Sequence, residues 1–91
     1  MGLAYPSLSN LNKNPFFVTA FEQGAVKSNT FAFYLDDEGS ELYLGGTNPD
    51  LYSGDIEYHS VVTETGFWQI SKGSIKVDGE DAVNDFNAII E

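Results

Sequence analysis

The run Leu42-Tyr43-Leu44-Gly45-Gly46 constrains this chain more than any other stretch, because an alternating apolar segment stops on two glycines. Thr47-Asn48-Pro49-Asp50 follows with polar turn residues and a proline, and a new segment starts at Asp55 after Tyr52-Ser53-Gly54. Branched and aromatic side chains favour strands, whereas glycine, proline and asparagine favour reversals. The stretch reads as strand, break, loop and strand. A mainly β fold of antiparallel sheets and hairpins is expected, with one short helix.

That helix is expected at about 15–23. Asn14 is a good N-cap, Pro15 suits the first helical position, and Gly24 supplies a stop. Phe17 and Phe21 lie one turn apart with Ala20 beside them, so the helix carries an apolar stripe that must cover something. Before it, Gly2 to Pro6 is short and apolar, and Ser7 to Asn14 is polar enough for a surface loop. After it, 30–35 alternates with Phe31, Phe33 and Leu35 on one face. The acidic turn Asp36 to Gly39 returns the chain into 41–44. Residues 55–62 read as another strand carried by Ile56, Tyr58 and Val61. Ser74–Val77 and Glu80–Val83 flank Asp78-Gly79, the pair that suits a type I′ turn. Ala88-Ile89-Ile90 reads as one more apolar strand. An apolar strand at a terminus is unusual, which suggests a segment of something larger.

Charge removes whole classes of partner. Fourteen acidic side chains against four basic ones give a net charge of −10, which disfavours nucleic acid and anionic membrane. Cysteine is absent, so disulfides, thiolate catalysis and zinc–cysteine sites are excluded. No apolar run approaches the roughly 20 residues of a membrane span. The opening Met1-Gly2-Leu3-Ala4-Tyr5-Pro6 does not read as a signal peptide.

Few motifs carry chemistry by themselves. Asp36-Asp37-Glu38-Gly39-Ser40-Glu41 departs from the EF-hand order and reads as a solvated hairpin turn. His59 is the single imidazole, so a multi-histidine metal site is excluded. Gly45-Gly46 is not a phosphate loop. No metal and no cofactor is expected.

Several pieces together resemble the pepsin-like aspartic endopeptidases, in particular the secreted fungal kind. Ser40 to Gly46, the Tyr52-Ser53-Gly54 step and Gly66-Phe67-Trp68-Gln69-Ile70 carry most of the likeness. Gly2 to Ser9, Pro15-Phe16-Phe17 with Gln23-Gly24, and Phe31 to Leu35 extend it nearly end to end. The resemblance implies part of a bilobal acid-protease fold. In it, 1–29 would end the first lobe, 30–62 would form the interlobe sheet and 63–91 would start the second lobe. It also implies protein or peptide substrates for the full enzyme, and a secreted or, as the alternative, vacuolar location.

The family's chemistry needs two Asp-Thr-Gly loops whose neighbouring carboxylates share a proton. Neither loop occurs in these 91 residues. No catalytic residue is therefore assigned, and the chain is expected to be inactive alone. The resemblance places Phe17, Ala20 and Phe67 along the substrate walls, although core packing is the competing reading of each and, for the helical stripe of Phe17 and Ala20 without the rest of the enzyme, the favoured one. Trp68 reads as a packing residue. The competing reading is a non-catalytic binding or regulatory protein derived from a truncated protease. A third, a small enzyme using its scattered acids, has no motif behind it. Uncovered strand edges further suggest a homodimer or a strand-exchanged assembly.

Overall fold

A computed structural model describes residues 1–91, and the chain falls into two compact units. One unit comprises Met1–Leu3 and Asn14–Ile56; the other comprises Ala4–Lys13 and Glu57–Glu91. As expected, the structure is mainly β, with two separate two-stranded antiparallel sheets and one α-helix. No helix is long and apolar enough to cross a membrane.

In the first unit the helix α1 spans Phe16–Glu22. It starts one residue later than the sequence suggests. Pro15 is itself the N-cap, with ψ at 153°, and no side chain caps the helix, so Asn14 does not take that role. The expected stop is present. Gly24 adopts φ +76°, its N–H donates to the Phe21 carbonyl at 3.0 Å, and the Ala25 N–H donates to the Ala20 carbonyl at 2.9 Å. These two bonds form a Schellman ending and satisfy carbonyls that the helix leaves open.

Strand β1, Phe31–Tyr34, pairs with β2, Glu41–Leu44, in the register Phe31↔Leu44 to Tyr34↔Glu41. The Gly45 N–H extends the ladder by donating to the Thr30 carbonyl at 2.7 Å. Phe17 is the buried hydrophobic core residue of the molecule, 4% exposed. Its ring meets Phe31 edge-on at 5.4 Å, and Phe31 meets Phe33 at 6.2 Å. Phe31 and Phe33 therefore share a face. Phe33 and Leu35 are nevertheless exposed, and Leu35 lies beyond the strand, so the helix covers only one end of that apolar row.

In the second unit β3, Gln69–Val77, and β4, Glu80–Ile89, form one long hairpin. Asp78 and Gly79 have φ of 51° and 80°, both left-handed, as the type I′ turn requires. The sequence pattern shows only the tip of this hairpin. Ala88-Ile89 is not a separate strand but the far end of β4, and the Ile90 N–H continues the pairing to the Trp68 carbonyl at 2.9 Å. Irregularities interrupt the register between Ile70 and Gly73, Gly73 and Ser74, and Ile75 and Lys76. Lys72 and Asp85 sit at φ of 60° and 56° at these breaks.

The strand expected at 55–62 does not form. Its apolar positions change phase between Tyr58 and Val61, so no single face can be buried. Tyr58 is 80% exposed. The Val62 N–H bonds to the Gln69 carbonyl at 2.8 Å, and Thr63–Thr65 then forms a 3-10 turn instead.

Candidate functional site

Phe17 and Ala20 stand on α1, three residues apart, and therefore on one side of the helix. Phe17 turns into the core against Phe31, as an apolar helical stripe normally does. Ala20 is half-buried, and its carbonyl accepts the Ala25 N–H that closes the helix. Phe67 belongs to the other unit and follows Gly66 on the approach to β3. It is 39% exposed, and its N–H donates to Thr65 Oγ1 at 3.3 Å.

Gly66 sets the local backbone. It has φ +78°, and its carbonyl accepts the Tyr5 N–H at 3.0 Å. A Cβ there would come within 2.6 Å of Ser7 Oγ and 2.8 Å of Leu8 Cγ. The position needs glycine twice over, for the left-handed backbone and for the close approach of the Pro6–Leu8 turn. On the other side of Phe67, Trp68 meets Tyr5 edge-on at 5.1 Å. Trp68 packs, as expected.

The remaining polar candidates are engaged locally. His59 Nε2 lies 3.5 Å from Glu57 Oε1, with both side chains largely exposed. In the acidic turn, the Asp37 N–H donates to Asp36 Oδ1 at 2.7 Å and Tyr34 Oη donates to Asp36 Oδ2 at 3.1 Å. Ser40 Oγ accepts the Asp36 N–H and donates to the Asp36 carbonyl. This is a hairpin turn held by its own side chains.

The sequence pattern does not single out the cavity on the other face of the β1–β2 hairpin. It measures about 230 Å³ and is open to solvent. Tyr34 pairs with Glu41 and Ala32 with Tyr43, so these four side chains share one face. The small Ala32 leaves space between the larger neighbours. Leu51, Tyr52 and Ile56 form the opposite wall. Asn48 ties the two sides together. Its Oδ1 accepts the Asp50 N–H at 3.1 Å while its Nδ2 donates to Glu41 Oε1 at 3.2 Å.

The family model for eukaryotic aspartyl protease matches residues 1–91. Pepsin A of Sus scrofa is 42% identical over 83 residues, covering 88% of this chain and 21% of its own length. An aspartic protease of Phaffia rhodozyma is 41% identical over 78 residues, covering 86% of this chain and 19% of its own. Cathepsin D of Gallus gallus is 38% identical over 82 residues, covering 85% and 20%. The chain spans about a fifth of the length of the curated relatives it matches. With the family model matched from first residue to last and relatives near two-fifths identity, this chain belongs to the eukaryotic aspartyl proteases, as a pepsin-like segment.

Proposed function

We propose that this chain serves as part of a pepsin-like aspartic endopeptidase and does not cleave peptides by itself. The observation that carries the reading is the family match over residues 1–91 in a sequence that contains no Asp-Thr-Gly. Paired aspartates hydrolyse the peptide bond by sharing a proton and positioning a water, and a lone carboxylate lacks the like-charged neighbour that separates their pKa values. In the full enzyme 1–29 would close the first lobe, 30–62 would contribute to the interlobe sheet and 63–91 would open the second lobe. Phe17, Ala20 and Phe67 would lie along the walls that hold a protein or peptide substrate. In this chain Phe17 is a packing residue, while Ala20 and Phe67 keep accessible surface. The family supports a secreted or vacuolar setting.

Exposed Ile75, Val77, Val83 and Ile89 on a two-stranded hairpin favour self-association, as a homodimer or by strand exchange. The test is hydrolysis of a denatured protein between about pH 3 and 5, the acid range in which a pair of neighbouring aspartates holds its one shared proton. No cleavage is expected, and cleavage blocked by a peptide that mimics the transition state would end the proposal. Saturable binding to an intact protease or receptor, without cleavage, would instead favour the regulatory reading. Sedimentation at high micromolar concentration tests the association separately, where a monomer counts against it.

A further inference from the structure

We propose that the cavity between the β1–β2 hairpin and the 47–56 loop is a binding site for a guanidinium group, the side chain of an arginine in a peptide. The cavity has two qualities that such a group needs together. Its walls are aromatic, with Tyr34, Tyr43 and Tyr52 among the lining residues. Its one ionisable carboxylate is Glu41, set on the same hairpin face as Tyr34 and Tyr43. Aromatic faces attract cations through their quadrupole, and the weakly hydrated, planar guanidinium stacks on them better than an ammonium does.

Glu41 is also prepared for a second donor. Asn48 engages Oε1 and, being held in turn by the Asp50 N–H, fixes the carboxylate in place. No basic side chain of the chain pairs with Glu41, and the structure's ion pair is His59 with Glu57. Oε2 can therefore accept a charge-assisted hydrogen bond from an N–H of the guanidinium. The net charge of −10 draws cations towards the surface in general. All four basic residues are lysines, Lys13, Lys27, Lys72 and Lys76, so the ligand is not supplied by a second copy of this chain. This inference does not depend on the protease reading.

The test uses the 91-residue chain and three short, otherwise identical peptides carrying arginine, citrulline or lysine, titrated by two-dimensional NMR. The arginine peptide is expected to shift the signals of Glu41, Tyr43 and Tyr52 in a saturable way. Citrulline, which keeps the shape and loses the charge, is expected to bind at least about tenfold more weakly. Glu41→Gln should lower the arginine affinity to the citrulline level, while Asp37→Asn, outside the cavity, should leave it within about twofold. Equal binding of arginine and citrulline overturns the proposal, as does equal binding of arginine and lysine. Shifts mapping outside the cavity, or none at millimolar peptide, overturn it as well. The peptide comparison uses the unaltered chain, so it stands even where a variant fails to fold.

Discussion

The two hairpins of this molecule are held in different ways. β1–β2 is short, four residues a side, and has a helix over one face, so that Phe17 is withdrawn from water against Phe31. β3–β4 is more than twice as long, yet Ile75, Val77, Val83 and Ile89 all stay exposed. What holds the longer hairpin is local: a two-residue turn, a glycine under an aromatic ring, and the Tyr5–Trp68 contact at its base. Phe86 pairs with Gly73 and lies so close that a Cβ there would come within 2.8 Å of the ring. One hairpin thus depends on burial and the other on backbone geometry. Substitutions should separate them accordingly.

The largest effect is expected at Phe17. Phe17→Ala removes the core ring and should cost about 3–5 kcal/mol. A small domain has about 5–15 kcal/mol in total. Hydrogen exchange should then be fast at the β1 and β2 amides and unchanged in β3–β4. Retained protection in β1–β2 would mean that the short hairpin does not rest on this ring.

Gly66→Ala comes next and acts on the other unit. Left-handed backbone costs a residue with Cβ about 1–2 kcal/mol, and crowding against Ser7 and Leu8 adds about 1–3 kcal/mol. Tryptophan fluorescence should report loosening of the Tyr5–Trp68 contact. Gly79→Ala separates the two costs. Its φ of 80° nearly matches that of Gly66, but nothing lies within 4 Å of the added Cβ. It should cost only the backbone share, about 1–2 kcal/mol, read as a shift in the denaturation midpoint. Equal losses at 66 and 79 would show that the Pro6–Leu8 turn simply moves aside.

The same contrast explains what could be read without coordinates. α1 is legible because Phe17, Ala20 and Phe21 share its side and Gly24 ends it. The turn at Asp78-Gly79 is legible because few pairs accept two left-handed residues in succession. The length of β3–β4 is not legible. Alternation is a clue only while the ladder is regular, and the breaks around Gly73 and Lys76 shift the apolar residues from one face to the other. One ten-residue strand therefore looks like two short pieces, Glu80–Val83 and Ala88–Ile90. At 55–62 the error is the reverse, since a few branched and aromatic residues imitate a strand that has no ladder partner. Order and spacing of motifs along the chain reveal the family, because they need no pairing information. The cavity stays hidden for a simpler reason: Tyr34, Glu41, Tyr43 and Tyr52 come from two strands and a loop, and no local signal groups them.

The smallest predicted effect bears on how that irregular ladder is stabilised. Lys72 has a Cβ and a left-handed backbone, which disfavours it by about 1–2 kcal/mol relative to glycine. Glycine at 72 removes that strain but gives the unfolded chain more freedom, which takes back about 0.5–1 kcal/mol. Lys72→Gly should therefore stabilise β3–β4 by up to about 1.5 kcal/mol, the opposite sign to the usual outcome of placing glycine in a strand. Urea denaturation followed at Trp68 would measure it. A loss of stability would mean that the Lys72 side chain contributes more to the hairpin than its backbone costs, and that this unit does not rest on geometry alone.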